Sequence, residues 1–315
     1  MSAPLLLGAI DIGSNTIRLL IGEYSLSKGL ITRHSERQVT RLGKRMSNGL
    51  LLADAIDYSV KVLQEYREIL DDYGIEDQQI MAVATSAVRN ARNRDEFIAS
   101  VKQHTGINVQ VVNGEQEARL SALGVCAAIK VAGSKLVVDI GGGSVEFILL
   151  GKDGEVQFSD SVEMGVVRLT EKFITRAPMQ IDEYLSMQEF VLKKVQAIQK
   201  QVSQFELSNL KIVGTAGTYT TAAHVLSGGG EYHPQRINGF SCSVRETKQL
   251  LDKISSLTLA QRLEVFPVEK GREDVIIAGL CLAININQVF HLDHYVVSDY
   301  GLREGILIDM AQKPA

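Results

Sequence analysis

Residues 8–21 read GAIDIGSNTIRLLI, and residues 136–149 repeat the pattern as LVVDIGGGSVEFIL. Asp11 and Asp139 are separated by 139 − 11 = 128 positions, and the glycine two residues after each aspartate keeps this spacing. Each copy places an aspartate and a turn of small residues between two apolar runs. This pattern predicts a β-hairpin whose turn exposes backbone N–H groups beside a carboxylate.

The predicted elements that follow each hairpin also repeat. Each half of the chain continues with a third strand and then with alternating helices and strands. Apolar residues at helical spacing predict long helices at about residues 53–70 and 181–202. The repeat therefore predicts an α/β fold of two duplicated domains, whose hairpin turns could face each other across a cleft and hold a phosphate chain with its metal.

The composition is that of a globular protein and limits the classes of partner. The chain has 315 residues, of which 45% are hydrophobic and 22% are charged, and this length accommodates two domains with separate cores. The net charge of −4 gives no reason to expect bulk binding to nucleic acid or to a membrane surface. Any polyanion site must therefore be local.

Cysteine usage and the chain start indicate a cytoplasmic protein. Cys126, Cys242 and Cys281 form no CxxC pair and leave an odd count, so neither a disulfide framework nor a zinc site is expected. The chain reaches Asp11 without a basic region, unlike a signal peptide. Its longest apolar run, residues 275–286, is too short to span a bilayer.

Three turns of small residues are candidate phosphate sites. In the two hairpin turns, small side chains and successive glycines expose backbone N–H groups that bind anions, and the repetition favours phosphate binding over ordinary turns. The third turn, residues 214–218, follows a strand and opens a helix. A threonine-capped turn and a ligand contact fit it equally well. The candidate groups are Ser14, Asn15, Thr16, Gly141, Gly142, Gly143, Ser144, Gly217 and Thr218.

Three glutamates are candidates for chemistry. Glu115 and Glu117 fall in the first turn of a predicted helix, where the helix dipole favours acidic residues. A carboxylate there could instead orient or deprotonate water beside a phosphate. Glu146 lies in an apolar strand on the same face as Ser144, so it needs a partner, for which Mg²⁺ is one candidate.

Two groups of arginines could bind phosphate oxygens through their planar guanidinium groups. Arg33, Arg37 and Arg41 would share one face if residues 33–41 formed an unbroken strand. The second group lies within residues 89–94. A solvated surface explains either group equally well.

Taken in order, these motifs resemble those of the exopolyphosphatase / guanosine pentaphosphate phosphohydrolase family, within the superfamily of actin-like ATPases, sugar kinases and chaperones. The resemblance covers nearly the whole chain. The matching segments are residues 9–15, 84–89, 114–120, 138–144 with Glu146, 214–218 and 298–305.

The resemblance implies two actin-like (ribonuclease H-like) domains with the active site between them. Domain I would comprise residues 1–121, completed by a C-terminal helix at 300–315, and domain II residues 122–299. The resemblance is to the short, two-domain form, so we expect no equivalent of the C-terminal helical domains that contribute to polyphosphate binding and dimer contacts in long family members. A homodimer is therefore left open.

The resemblance also implies an activity: Mg²⁺-dependent hydrolysis of the terminal phosphoanhydride of inorganic polyphosphate or of guanosine pentaphosphate, a nucleotide of the stringent response. By position, Glu117 looks like the general base, because this chain has Gln116-Glu117 where many members have two glutamates. Asp139 and Glu146 look like metal-associated carboxylates, with Asp11 as a further candidate. Arg89 joins the turn residues given above as part of the phosphate cradle.

Two alternative functions stay open at this stage. An ATP-dependent kinase of the same superfamily would phosphorylate a small molecule and hold its nucleotide at residues 214–218. A non-catalytic protein would bind polyphosphate or a nucleotide and release no orthophosphate. The sequence does not choose between polyphosphate and guanosine pentaphosphate, since both present a terminal phosphoanhydride.

Overall fold

The structure, a computed structural model, describes residues 5–44, 46, 48–266 and 271–313. It divides into two compact units. The first contains the described residues up to Ala127 and those from Gly301 onward, and the second contains Ala128–Tyr300. The first boundary thus falls near the end of the helix that contains Glu117, a few residues beyond the position expected from the sequence.

The first unit begins with the predicted hairpin and continues with alternating helices and strands. A short 3₁₀ turn, Asp77–Gln79, precedes its fourth strand. The elements up to the unit boundary are β1 (Leu7–Ile12), β2 (Thr16–Ser25), β3 (Gly29–Val39), α1 (Ala53–Asp72), β4 (Ile80–Ala84), α2 (Ser86–Asn90), α3 (Arg94–Thr105), β5 (Val109–Val111) and α4 (Gly114–Ala128).

The described strands of this unit form one sheet in the order β3-β2-β1-β4-β5. β1 runs antiparallel to β2 and parallel to β4, and β5 continues the parallel part. All six residues of β1 are buried, because successive side chains point to opposite, covered faces. Ile10 and Ile12 pack with α1 and α3 residues such as Leu63 and Phe97, whereas Ala9 packs with residues of a second core.

Residues 33–41 do not form an unbroken strand, so the condition under which Arg33, Arg37 and Arg41 would share one face is not met. The register between β2 and β3 shifts at Arg33, which makes Arg33 the extra residue of a β-bulge. A bulge reverses the alternation of side chains, so Arg33 and Arg37 lie on opposite faces. Arg33 bonds to Glu23 at 2.7 Å, and Arg41 follows the end of β3 with a left-handed φ of 53°.

The second unit repeats the order hairpin, third strand, then alternating helices and strands, with more helices inserted. Its elements are β6 (Lys135–Ile140), β7 (Val145–Leu150), β8 (Val156–Val162), α5 (Val166–Phe173), α6 (Ile181–Val202), β9 (Lys211–Thr215), α7 (Ala216–Leu226), α8 (Pro234–Ile237), β10 (Ser241–Ser243), α9 (Val244–Ser255), α10 (Leu259–Val265), α11 (Ile276–Val289) and β11 (His294–Val297).

The sheet of the second unit has the order β10-β11-β9-β6-β7-β8 among the described strands. From β8 to β11 this repeats the order of the first unit, with β6 in the place of β1 and β10 added antiparallel at the edge. Both units therefore have the 3-2-1-4-5 strand order of the ribonuclease H-like fold. The predicted fold class, a duplicated α/β architecture, is confirmed.

The apolar run near residue 280 forms the central helix of the second unit rather than a surface element. Every residue of α11 from Ile276 to Asn287 is buried, and the helix packs against α5, α6, α7 and α9. A helix that is apolar on all sides is typical of a domain core. Over the part of the chain that the structure describes, no helix has the length and apolarity needed to cross a membrane.

The final helix, α12 (Leu302–Gln312), belongs to the first unit and packs on β1 and β2. Two glycines let α12 approach α4 closely. A Cβ atom on Gly305 would lie 1.7 Å from the Leu120 carbonyl oxygen, and one on Gly124 would lie 2.0 Å from the Gly301 carbonyl oxygen. This helix crossing accordingly tolerates no side chain at either position.

We expect Gly305→Ala to lower the free energy of unfolding by about 1–3 kcal/mol, because a backbone carbonyl must move and the better helix propensity of alanine offsets only part of the cost. Urea unfolding followed by circular dichroism measures the change. Gln312→Ala, at an exposed position of the same helix, is the control and should stay within about 0.5 kcal/mol of wild type. Equal stability of all three proteins would contradict the close crossing.

Candidate active site

The first hairpin turn is held in place by the loop that follows β3. The Gly13 N–H donates to the Thr16 carbonyl at 3.1 Å and closes the turn, and the Gly43 N–H donates to the Ser14 carbonyl at 2.7 Å. A Cβ on Gly43 would lie 2.9 Å from the Ser14 Cβ, so this approach requires glycine. Ser14 and Thr16 are buried, and Asn15 is partly exposed. The three side chains predicted to bind phosphate thus sit on a fixed turn.

Asp11, beside this turn, is a buried carboxyl group whose environment disfavours the charged form. Its cross-strand neighbour in β2 is Arg18, whose Nε lies 3.8 Å from Asp11 Oδ2. Burial raises the pKa of Asp11, and the charges of Arg18 and Arg303 only partly oppose this effect. A buried carboxyl group with a perturbed pKa is typical of a functional site.

Arg89 and Glu117, predicted for phosphate binding and for catalysis, form an ion pair with each other. Arg89, in α2, donates from Nη1 to Glu117 Oε2 at 2.7 Å and to the Val112 carbonyl at 3.1 Å. Glu117, in the first turn of α4, is buried, whereas Glu115 in the same turn is exposed. The charge-assisted bond therefore fixes the position of the Glu117 carboxylate.

The glycine turn of the second unit is hydrogen-bonded to the start of α5. Gly141 N–H donates to the Ser144 carbonyl at 3.0 Å, which closes the turn as in the first unit. The carbonyls of the three glycines accept bonds from the first amides of α5 and the residue before it. The pairs are Gly141 with Val166 at 3.0 Å, Gly142 with Val167 at 2.9 Å and Gly143 with Gly165 at 3.1 Å.

These hydrogen bonds orient the backbone amides of the turn. In a trans peptide the C=O and the next N–H point in opposite directions, so the amides of Gly142, Gly143 and Ser144 point away from α5. Among the described residues no acceptor bonds to the N–H groups of Gly142 and Gly143. None of the hairpin-turn glycines has a left-handed φ. The steric requirement falls on the neighbouring Gly165 instead, because a Cβ atom there would lie 2.4 Å from the backbone of Gly142.

Glu146 has two protein partners that the sequence did not indicate. Its Oε1 accepts hydrogen bonds from Ser144 Oγ at 2.6 Å and from Ser161 Oγ at 2.9 Å. Ser161 is its cross-strand neighbour in β8, and Asp139 is its cross-strand neighbour in β6. Two carboxylates therefore project from directly paired positions of adjacent strands.

These carboxylates fit a hydrated cation better than a cage of protein ligands. No group of three or more acidic, histidine or cysteine side chains able to hold a metal occurs in the described ranges. Mg²⁺ retains several waters and is commonly held by one or two carboxylates together with substrate phosphates. Asp139 and Glu146 match that donor set.

The third turn, where β9 leads into α7, packs against an arginine that sequence analysis missed. Ala216 adopts a left-handed φ of 66°, an unusual conformation for alanine. The guanidinium of Arg272 packs on the backbone beyond it, since a Cβ on Gly217 would lie 1.3 Å from Arg272 Nη1. Thr218 is buried against Gly279 of α11. Arg272 lies far away in sequence and in no repeat, so no pattern identified it.

Within each unit these groups collect at one edge of the sheet. In the first unit, β1, β4 and β5 are parallel, and the hairpin turn, α2 and α4 follow their carboxyl ends. In the second unit, β6 and β9 are parallel, and the glycine turn and α7 follow theirs. Ligands of open α/β sheets bind outside the carboxyl ends of the strands.

Comparison with known proteins identifies relatives across the whole chain. The model of the Ppx/GppA phosphatase family matches residues 25–314. Exopolyphosphatase 2 of Mycobacterium tuberculosis is 31% identical over 317 residues, which cover 96% of this chain and 98% of that protein. The bifunctional 3-dehydroquinate synthase/phosphatase of Fusobacterium nucleatum is also 31% identical, but the match spans 46% of its length.

A solved structure with a modest sequence identity to this chain has the same fold. An exopolyphosphatase from Cytophaga hutchinsonii superimposes with a TM-score of 0.88 at 28% identity, and the match covers 98% of each chain.

The raised pKa of Asp11 leads to a pH-dependent prediction. Its stabilising contribution is present below about pH 3.8, the ordinary pKa, and is lost as the pH rises through the raised value. The free energy of unfolding of Asp11→Asn should therefore increase relative to that of wild type as the pH rises from 4 to 8. Urea unfolding across this range measures it, with exposed Asp57→Asn as control. A pH-independent difference would exclude the burial penalty.

Proposed function

Since the chain belongs to the Ppx/GppA phosphatase family, we propose that it is an exopolyphosphatase, a hydrolase that removes the terminal phosphate of inorganic polyphosphate. The name of the M. tuberculosis relative, which matches over nearly its full length, supports this substrate. Guanosine pentaphosphate is a second candidate substrate, because its terminal phosphoanhydride offers the same reacting group.

The observation that carries the proposal is the position of Glu117. Its carboxylate is buried in the first turn of α4, at the carboxyl edge of the sheet, and is bonded to Arg89 at 2.7 Å. The residues proposed as general base and as phosphate-binding cation are therefore adjacent. Among the residues that the structure describes, the exposed Glu115 in the same turn forms no ion pair. This arrangement suits a hydrolase better than a simple binding protein.

In the proposed reaction, Glu117 accepts a proton from water while the water oxygen attacks the terminal phosphorus. The bond from that phosphorus to the bridging oxygen breaks, which yields orthophosphate and a chain shortened by one phosphate. Because the transition state is loose, the protein contributes mainly position and charge. Arg89 takes up charge on the terminal phosphate oxygens.

We propose binding roles for the groups at the carboxyl edge of the second unit as well. The outward amides of Gly142 and Gly143, the turn at Gly217 and the side chain of Thr218 would bind phosphate oxygens. Arg272, beside Gly217, would add a positive charge. Asp139 and Glu146 would hold Mg²⁺, with Asp11 as a further candidate; the bound ion would neutralise developing oxygen charge. A cytoplasmic location and a homodimer stay predictions from the sequence.

Replacement of the proposed base tests the mechanism. Glu117→Gln should lower the rate of phosphate release from polyphosphate by about 10²–10⁴-fold, because the amide cannot accept the proton. Glu115→Gln, an exposed change in the same helical turn, is the matched control and should keep wild-type rates. Near-normal turnover by Glu117→Gln with unchanged circular dichroism would remove Glu117 from the base role.

Metal dependence is tested by chelation and by a charge change at Glu146. EDTA should reduce phosphate release at least ~100-fold, and added Mg²⁺ should restore it. Glu146→Gln keeps an acceptor for both serines but loses the charge, so it should need about tenfold or more Mg²⁺ for half-maximal rate. Exposed Glu189→Gln should behave like wild type. Full activity in EDTA would contradict the metal.

The same assay separates the alternative functions. Parallel reactions with guanosine pentaphosphate and with ATP, each with and without small-molecule acceptors, show which substrate is consumed. ATP consumption that requires an acceptor would favour a kinase, and substrate binding without release of orthophosphate would favour a binding protein.

A further inference from the structure

A pocket of about 750 Å³ lies in the second unit, away from every residue assigned above. Its lining comes from the junction of β10 and α9 and from the turn between α11 and β11. A volume of this size is within the range of ligand-binding pockets. Its titratable lining residues are Arg245, Lys248, His291, Asp293 and His294.

Positive charge dominates this basic pocket. Within the described residues, Arg245 and Lys248 form no ion pair, whereas Arg89 and Arg119 are paired with carboxylates. The two histidines add N–H donors, and Asp293 is the acidic lining residue. The lining also includes the first residues of α9, whose N-terminus carries a partial positive charge. The pocket is therefore built to attract an anion.

The basic pocket lies at the opposite edge of the sheet from the phosphate turns of this unit. Ser243, at the end of β10, pairs with His294, at the start of β11. β11 is parallel to β9, whose far end is Thr215 beside the third turn. A strand of four residues such as β11 spans about 13 Å. A short substrate held at the carboxyl edge would not reach the pocket.

We infer that the basic pocket binds a distal segment of an inorganic phosphate chain whose terminus is at the site of hydrolysis; this inference rests on the proposed function. The pocket is open, which suits a flexible linear polyanion. A second contact raises the effective concentration of the chain terminus at the active site. The benefit is confined to chains long enough to reach both places.

The test is a double variant, Arg245→Gln/Lys248→Gln, assayed on tripolyphosphate and on long-chain polyphosphate. We expect the KM for the long chain to rise about threefold to thirtyfold with little change in kcat, and both constants for tripolyphosphate to stay at wild-type values. The difference between variant and wild type should shrink in high salt, because the lost contacts are exposed charges.

The matched control removes the same charge elsewhere in the unit. Lys200→Gln/Lys253→Gln changes two exposed lysines that do not line the basic pocket, one of them on α9 itself. It should leave the long-chain KM unchanged. An equal rise in this control would show a general charge effect and would overturn the inference, as would an unchanged KM in the pocket variant.

Calorimetric titration with long-chain polyphosphate in EDTA tests binding without turnover. A weaker affinity of the pocket variant, but not of the control, supports the pocket. If neither substrate is hydrolysed by wild type and this affinity difference persists, the proposed function fails while the pocket still binds polyphosphate. If hydrolysis is normal and affinity is unchanged, the pocket fails alone.

Discussion

Burial of the central strand on both faces is the constraint on which each unit depends. β1 and β6 lie inside their sheets, and helices cover both sides, so β1 from Leu7 and β6 from Leu136 lack polar side chains until the strand nears its end. Polar residues appear there, at Asp11 and Asp139. The chain must then turn back into β2 or β7 over a few small residues. The carboxyl edge thus becomes the place where carboxylates and backbone amides meet.

The three buried carboxylates at these edges are accommodated in different ways. Glu117 accepts a charge-assisted hydrogen bond from Arg89 at 2.7 Å. Glu146 accepts from two serine hydroxyls, which satisfy an oxygen without adding positive charge. Burial raises the pKa of Asp11 in spite of nearby arginines. Buried carboxylates reduce stability unless they are partnered, so their occurrence at the carboxyl edge of each sheet indicates a function rather than a structural need.

Much of the fold could be predicted because it depends on local patterns. The repeated hairpin led to the repeated strand order, and apolar periodicity located α1 and α6 almost to their observed bounds of Ala53–Asp72 and Ile181–Val202. These signals are contained in short windows of sequence. The duplicated α/β class followed from them.

The unpredicted features depend on contacts between distant residues. The bulge at Arg33 is a property of the pairing between β2 and β3, and a strand pattern alone does not show where an extra residue enters. Arg272 reaches Gly217 across more than fifty positions. The bond between Ser161 and Glu146 needs the register of β7 and β8. For the same reason the pairing of Arg89 with Glu117 was not foreseen.

One difference between the two copies explains why they would serve unequal roles. The neighbour of Asp11 across the hairpin is Arg18, and the neighbour of Asp139 at the equivalent position is Glu146. Opposite charges at paired positions attract, whereas two carboxylates side by side repel each other. The second pair becomes favourable when a cation lies against both groups. The first hairpin supplies its own positive charge, so the change of sign at this position supports our proposal that the second unit holds the metal.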